Sequence, residues 1–433
     1  MIKEDETGIL SGMVTGGEGS MDSFKYDFIS IMDRRGRDAY AVDGVGKNRW
    51  QIEPQPPKNG FDFIPMWVAD MNFPTCPAVT DAIIERAKHP AFGYFEISDE
   101  YYESIIRWRQ SSPSDGAGII PHRDLQREHI GYENGVHGFV TSAVRVLTRP
   151  GESILLHSPN YVGFRSDTWA QGRKCEFSPL KMDAQGIWRM DLDDMARRIE
   201  ENDIHVMIFC SPQNPSGRVW ERSELEAMME MLEAHSVDVI CDEIWADLTF
   251  EGHPHTPLQD VSPYAREHVL AAYAPSKTFN IAGLIGSYHI IYNDELRKQV
   301  TEQGSLTNYN EINVLSMHAL TGGYSETGRE WLNELNRTLE GNGTFALDYI
   351  RQNLPGIKAA KPQGTYMMWL DLAEYLETSG KSLDEVLHAG WDVGVGWQSG
   401  VLFEGPTHIR LNLASPLSRI QEAFRRMKEY VFI

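Results

Sequence analysis

Three polar residues of the chain could do chemistry together, because each comes within a few residues after an apolar run typical of a buried strand. They are Asn214, Asp242 and Lys277. A lysine amine condenses with an aldehyde to form a Schiff base. A carboxylate beside the nitrogen of a pyridine ring keeps that nitrogen protonated, and the ring then accepts the electrons of a carbanion. An asparagine amide can donate to a phenolic oxygen on the same ring. The trio therefore predicts a site for an aldehyde-bearing pyridine.

Each of the three residues also has an ordinary structural interpretation. Asp242 could cap the N-terminus of a helix, Asn214 with Pro215 could form a plain turn, and Lys277 could be a surface lysine. Their shared position favours the site, because ligands of an open parallel sheet bind beyond the carboxyl ends of its strands.

The elements that would position these residues alternate between apolar runs and helical spacing. The predicted strands are Ser153–His157, Val206–Cys210, Val237–Cys241, Val269–Tyr273 and Tyr288–Tyr292. The predicted helices of this region are Pro77–Lys88, Gly138–Leu147 and Arg222–Ala234. Continuous apolar runs indicate strands covered on both faces, and strand–helix–strand units indicate a mainly parallel sheet.

The C-terminal third predicts a second, smaller α+β domain. Its predicted elements are a long helix Glu326–Asn353, strands Thr365–Leu372 and Thr407–Leu413, and an amphipathic helix Pro416–Val431. The predicted organisation is a flexible extension (1–20), an N-terminal segment packing with the small domain (21–75), a large α/β domain (76–325) and the small domain (326–433). Met21 opens the better-patterned sequence and is a candidate start in the cell.

Composition limits the partners and the compartment. The net charge of −22 disfavours nucleic acid and anionic lipid. No apolar run reaches the roughly 18 residues of a membrane helix, and residues 1–20 lack a signal-peptide pattern. The four cysteines have no metal-ligand spacing, so no metal site is predicted and a reducing cytoplasm is the expected location.

Several motifs resemble those of the fold-type I, class I/II aminotransferase-like enzymes that use pyridoxal-5′-phosphate (PLP). The motifs shared at this level are SPQNPSGRVW (211–220), DEIWADL (242–248), APSKTFNIAGL (274–284) and HIRLNLASP (408–416). Three others resemble the cystathionine β-lyase branch often called MalY/PatB, namely FKYDFISIMDRRGRDAY (24–40), MWVADMNFPTCP (66–77) and FGYFE (92–96). The implied fold is α/β, the PLP-dependent transferase fold type I with a mainly parallel sheet plus a smaller α+β domain.

The resemblance implies a role for each matching residue. Lys277 would hold PLP as a Schiff base and then move the Cα proton, Asp242 would pair with the ring nitrogen, and Asn214 would donate to the phenolic oxygen. Tyr161 would stack on the ring, with a turn aromatic covering the core as its alternative. Arg410 would bind the substrate α-carboxylate as a bidentate fork, with an exposed arginine of an edge strand as its alternative.

The cofactor phosphate needs donors as well. The backbone amides of Val136 and His137 precede a predicted helix, and a helix N-terminus binds anions well. Ser276 would add a hydroxyl. Tyr94 would reach the site across the interface of a homodimer. The alternatives are a general base for His137 and, for Tyr94, a core aromatic beside Phe92 and Phe95.

Three positions depart from the family pattern. Ala274 replaces a serine that donates to the phosphate in many relatives. Trp245 stands where lyases of this branch have His and aspartate aminotransferases have Tyr, and its indole N–H can only donate. Ile285 occupies the position of an arginine found in many aminotransferases, which agrees with the lyase branch.

The sequence therefore predicts a C–S β-lyase that cleaves S-substituted cysteines to pyruvate, ammonia and a thiol. Two alternatives stay open at this stage. An aminotransferase would use the same Lys277, Asp242 and Arg410 with a 2-keto acid as acceptor. A PLP-binding regulator or interaction protein would keep the cofactor without turnover.

Overall fold

The structure is a computed structural model that describes residues 25–49, 52–111, 120–306 and 310–433. The predicted extension 1–20 and the candidate start Met21 lie outside these residues. The strands are β1 Ile64–Pro65, β2 Ile130–Glu133, β3 Ser153–Ser158, β4 Lys174–Pro179, β5 Lys181–Met182, β6 Trp188–Arg189, β7 Val206–Cys210, β8 Asp238–Asp242, β9 Val269–Tyr273, β10 Ser287–Ile290, β11 Lys358–Ala359, β12 Met367–Asp371, β13 Val395–Gly396, β14 Gln398–Ser399 and β15 His408–Asn412.

The α-helices are α1 Tyr40–Asp43, α2 Pro77–Lys88, α3 Asp99–Gln110, α4 Val136–Leu147, α5 Val162–Ala170, α6 Leu192–Asn202, α7 Arg222–Ala234, α8 Pro263–His268, α9 Pro275–Thr278, α10 Asp294–Ser305, α11 Val314–Gly323, α12 Glu326–Asn353, α13 Ala373–Ser379, α14 Leu383–Asp392 and α15 Leu417–Arg426. Their starts follow local chemistry: Pro77 occupies the first turn of α2, and the side chains of Ser325 and Ser382 cap α12 and α14. Across these residues no helix is both long and apolar enough to cross a membrane.

The central sheet has seven strands in the order β2-β10-β9-β8-β7-β3-β4. The strands from β9 to β4 pair in parallel, whereas β10 is antiparallel to both of its neighbours. Every residue of β7 and β9 is buried, as expected for strands with helices on both faces. The mainly parallel α/β sheet predicted from the sequence is confirmed.

Several predicted boundaries need correction. The strand predicted at Val237–Cys241 is Asp238–Asp242, so Asp242 is its last residue. The strand predicted at Tyr288–Tyr292 is Ser287–Ile290. The helix predicted from Gly138 begins at Val136. The predicted C-terminal helix ends at Arg426 and continues as a π-helical turn through Val431. Termini shift because tertiary contacts decide where the last backbone bonds form.

A second sheet, β11-β12-β15-β14, is antiparallel and carries its own hydrophobic core. Helix α12 joins the two cores: Leu332 and Leu335 pack in the larger one, whereas Leu347 and Ile350 pack in the smaller one. The predicted strand Thr365–Leu372 is the shorter β12, and the predicted Thr407–Leu413 is β15.

The segment before α2 contacts both cores. Phe28 and Phe73 belong to the larger core, and Ile64 and Met66 to the smaller one. Strand β1 pairs in parallel with β13. This segment therefore carries Trp67, Ala69 and Asp70 past the crevice between the sheets, where the predicted chemical residues meet.

Candidate active site

A cavity of about 190 Å³ lies at the carboxyl edge of the central sheet. The edge collects these side chains because parallel strands all end there. The predicted residues that line the cavity are Val136, His137, Tyr161, Asn214, Asp242, Ser276 and Lys277. Arg410 lines an adjoining cavity together with Tyr161 and Lys277. Eight of the nine predicted site residues therefore line these two adjoining cavities.

Lys277 lies in the short helix α9, directly after β9. Its Nζ donates to the carbonyl oxygen of Ala69 at 2.8 Å and lies 5.8 Å from the centroid of the Trp245 ring. Burial lowers the pKa of Lys277 to about 8, against the opposing charge of Asp70. Lys277 is therefore no surface lysine, and its amine is neutral more often than an exposed one, as nucleophilic attack requires.

Asp242 ends β8 and is 5% exposed. One carboxylate oxygen accepts from the backbone N–H of Ile244 at 3.0 Å, so the residue does cap the turn that follows the strand. Burial raises the pKa of Asp242 to about 6, while the charges of His137 and Lys277 oppose that shift. Because the nearby positive charges only partly offset the effect of burial on this carboxylate, it is suited to pair with a protonated ring nitrogen.

Arg410 lies in β15 between β12 and β14 and is 4% exposed. Its Nη1 donates to the amide oxygen of Asn214 at 3.1 Å, and its Nη2 donates to Trp67 O at 2.9 Å and to Gln398 Oε1 at 2.6 Å. The alternative of an exposed arginine on an edge strand is therefore wrong. The sequence did not reveal Gln398, whose register opposite Arg410 only the sheet pairing shows.

The N-terminus of α4 lines the same cavity. Gly135 precedes it with φ 82°, and no side chain caps the helix. A positive φ favours glycine, and the uncapped first turn leaves the amides of Val136 and His137 free to donate. Ser276, near the start of α9, lines the same cavity.

The imidazole of His137 joins two further side chains. Its Nε2 lies 3.0 Å from the phenolic oxygen of Tyr161, and its Nδ1 lies 2.6 Å from Asp167 Oδ2. The hydrogen bond to Asp167 raises the pKa of His137, and burial raises the pKa of Tyr161 to about 12. The sequence did not reveal Asp167, because only the fold of α5 against α4 brings it to His137.

Tyr94 is the one predicted site residue outside both cavities. It is fully exposed, and its neighbours Phe92 and Phe95 are exposed as well. The alternative of a core aromatic is therefore wrong, because neither hydrophobic core of the described residues includes this segment. Ile285 is also exposed and yet lines the cofactor cavity, so the cavity opens toward solvent on that side.

The residues fit PLP. An uncapped helix N-terminus suits the phosphate, a buried carboxylate suits the ring nitrogen, and a lysine amine of lowered pKa suits the aldehyde. The three departing residues Ala274, Trp245 and Ile285 line the same cavity. They therefore change the surroundings of the three groups that suit PLP without replacing any of these groups.

Such a cavity, at the carboxyl edge of a mainly parallel sheet with a second smaller sheet above it, defines a PLP-dependent enzyme of fold type I. Residues 62–427 match the family described as Aminotransferase class I and II, and the chain belongs to that family.

Proteins similar to this chain include several with lyase names. Cystathionine beta-lyase PatB of Bacillus subtilis (strain 168) is 32% identical over 370 residues, which cover 85% of this chain and 92% of that protein. Protein MalY of Escherichia coli (strain K12) is 29% identical over 401 residues, 92% of this chain and 96% of that protein. The PLP-bound C-S lyase from Staphylococcus hominis superposes with a TM-score of 0.81 at 28% identity, covering 94% of this chain and 98% of that one.

Proposed function

We propose that this protein is a PLP-dependent C–S β-lyase that cleaves S-substituted cysteines to pyruvate, ammonia and a thiol. The observation that carries the proposal is the similarity to cystathionine beta-lyase PatB over 92% of that enzyme's length. The site geometry supports the use of PLP but serves a lyase and an aminotransferase equally, so the reaction has to be tested directly.

The anchors of the cofactor follow from the cavity. Lys277 would hold the aldehyde carbon, and Asp242 would keep a proton on the ring nitrogen. Because the amide oxygen of Asn214 already accepts from Arg410, the amide nitrogen of Asn214 is the atom that would donate to the phenolic oxygen. The amides of Val136 and His137 would bind the phosphate, with Ser276 beside them in the same cavity.

The substrate would bind through Arg410. All three of its hydrogen-bond partners are neutral, and its buried Nε has no partner among the described residues. An α-carboxylate would therefore meet a guanidinium fork whose charge no anion cancels. Tyr161 borders both cavities and would pack against the ring face of the cofactor.

The reaction would begin with removal of the substrate Cα proton by the Nζ of Lys277. Bound PLP supplies the electron sink that makes this proton acidic. Asp242 sustains that sink by holding the proton on the ring nitrogen. The Cβ–S bond then breaks and the sulfur leaves with the bonding electron pair.

The decisive experiment measures pyruvate and free thiol from L-cystathionine with PLP-loaded protein and no added keto acid. Release of both products is the expected result. If the absorbance of the cofactor Schiff base instead disappears and returns only after a keto acid is added, the protein is an aminotransferase. Lys277→Ala should abolish turnover, whereas Lys298→Ala, an exposed lysine of α10, should not; normal activity of Lys277→Ala would refute the role of Lys277.

We also propose a homodimer in which Tyr94 reaches the phosphate of the neighbouring site. The exposed apolar segment around Phe92 and Phe95 and the open, Ile285-lined side of the cavity support this arrangement. The proposed domain division keeps the predicted ranges 21–75, 76–325 and 326–433. A cytoplasmic location is proposed because all four cysteines are free thiols.

A further inference from the structure

The phenol of Tyr161, the imidazole of His137 and the carboxylate of Asp167 form a continuous hydrogen-bonded chain along the wall of the cofactor cavity. We propose that these three residues, the relay, deliver a proton to the leaving sulfur of the substrate. This inference rests on the proposed β-elimination. It assigns the side chains of His137 and Asp167 a function separate from the phosphate-binding backbone amide of His137.

Asp167 fixes how the imidazole uses its two nitrogens. With Nδ1–H donated to the Asp167 carboxylate, Nε2 faces the phenolic oxygen of Tyr161. When His137 is doubly protonated, Nε2–H donates to that oxygen, and the phenolic proton can then point into the cavity. When His137 is neutral, Nε2 accepts the phenolic proton instead, and Tyr161 has nothing to offer a substrate. Only the protonated state of His137 therefore makes Tyr161 an acid toward sulfur.

All three relay residues line the cofactor cavity. The side chain of His137, the middle residue of the relay, is 53% exposed, so solvent that enters the open cavity can reach it. Tyr161 borders both the cofactor cavity and the cavity of Arg410, and the Arg410 guanidinium is the charge that most opposes the rise in the pKa of Tyr161. The phenol thus lies between the anchors proposed for the cofactor and the substrate.

The backbone leaves room for the imidazole. A Cβ atom on Gly163 would lie 2.2 Å from Cε1 of His137 and 2.6 Å from Cε1 of Tyr161. Neither ring could keep its present position beside such an atom. The contact between His137 and Tyr161 therefore requires glycine at position 163, in the first turn of α5. Helix formation alone would favour alanine there.

The proton and electron balance of the step is complete. The Cβ–S bond breaks, its electron pair stays on sulfur, and an S–H bond forms with the phenolic proton of Tyr161. Nε2–H of His137 returns a proton to the phenolate oxygen. After the product leaves, Lys277 releases the Cα proton to solvent, and an equivalent solvent proton restores Nε2–H of His137. No oxidant, reductant or metal is required.

The relay predicts a pH dependence. The groups that act on His137 are Asp167 and Tyr161 by direct contact, and Asp242 from β8 and Lys277 from α9 through their charges. Asp167 raises the pKa of His137, so proton delivery is present below that pKa and is lost as the pH rises through it. Asp167→Asn removes the main cause of the rise and should move this alkaline loss to lower pH.

The test compares two leaving groups in the PLP-loaded protein. S-Ethyl-L-cysteine releases a weakly acidic alkyl thiol that needs a proton, whereas S-(4-nitrophenyl)-L-cysteine releases a far more acidic thiol that leaves unaided. We expect His137→Gln to lower kcat for the ethyl substrate by about 100-fold, near the lower end of general acid catalysis, and to change kcat for the nitrophenyl substrate by less than about threefold. Gly163→Ala, which displaces both rings, should also lower kcat for the ethyl substrate with all three relay side chains retained.

Two further measurements separate proton delivery from a structural effect. Histidine NMR of the holoenzyme, with the His137 resonance assigned by its absence in His137→Gln, should show a lower titration midpoint in Asp167→Asn. Asp238→Asn removes a similar contact of 2.7 Å to His268 at the opposite end of β8 and should leave both substrates unaffected.

Equal losses for both leaving groups, or no loss for either, would overturn the relay and leave Lys277 or solvent as the proton source. Absence of thiol release from both substrates in the unmodified protein would refute the lyase itself and the relay with it. The two failures are therefore distinguishable.

Discussion

The guanidinium of Arg410 donates to the amide oxygen of Asn214 at 3.1 Å. The contact joins β15 of the small antiparallel sheet to the loop after β7 of the central sheet. It also orients the amide nitrogen of Asn214 for donation and holds the arginine fork at the wall of the cavity. A substrate carboxylate that binds Arg410 would therefore act on the proposed cofactor anchor Asn214 as well, which makes Arg410 the first residue to test.

Arg410→Lys should lower kcat/KM for L-cystathionine by about 100-fold or more, because a lysine ammonium cannot present the bidentate fork. The loss should appear mainly in KM, and PLP should remain bound because Lys277 is retained. Arg425→Lys, an exchange on the surface of α15, is the matched control and should have no effect. An unchanged KM in Arg410→Lys would show that the carboxylate binds elsewhere.

Asp242→Asn should stabilise the cofactor-free protein at neutral pH. The pKa of Asp242 is about 6 in the folded protein, whereas its ordinary value is 3.8. At a pH between these two values the folded state therefore keeps a proton that the unfolded state has already lost. The free energy of unfolding therefore falls as the pH rises through this range, by about 3 kcal/mol in total.

Thermal unfolding of cofactor-free Asp242→Asn and of the unmodified protein checks this expectation. The variant should melt at a higher temperature at pH 7, and the difference should shrink toward about pH 4. The same variant should bind PLP more weakly because the ring nitrogen loses its anion. Asp348→Asn, an exposed aspartate of α12, is the control; equal melting temperatures at pH 7 would contradict the buried charge.

Ala274→Ser should tighten PLP binding by about tenfold, because one hydroxyl donor to a charged phosphate contributes roughly 1–2 kcal/mol. Equilibrium titration of the cofactor-free protein followed by absorbance measures the affinity. Pyridoxal, which lacks the phosphate, is the matched control ligand and should bind both proteins equally. An equal gain for pyridoxal would place the new hydroxyl away from the phosphate.

A hybrid dimer tests whether Tyr94 acts across the interface. A subunit carrying Tyr94→Phe is combined with one carrying Lys277→Ala, and activity is measured at limiting PLP. If Tyr94 serves the neighbouring site, one of the two sites receives an intact Tyr94 and an intact Lys277. The hybrid should then show about half the activity of the unmodified dimer. If Tyr94 instead serves the site of its own subunit, the hybrid should show at most half the activity of a dimer in which both subunits carry Tyr94→Phe.

The sequence by itself determined five of the seven strands of the central sheet and the residues at its carboxyl edge. Asn214, Asp242 and Lys277 could be found because each follows an apolar run, and the ends of parallel strands converge whatever the details of packing. The backbone amides of Val136 and His137 were also identified from the sequence, although the helix that they begin was predicted to start at Gly138.

Only the tertiary structure decided which side chains from distant elements meet. Asp167 reaches His137 through the packing of α5 against α4, and Gln398 faces Arg410 through a register that no periodicity encodes. The antiparallel direction of β10 could not be predicted from the sequence either, because a buried apolar strand has the same residue pattern in both directions. Contacts between side chains far apart in sequence depend on helix packing and strand register, and these are properties of the whole fold.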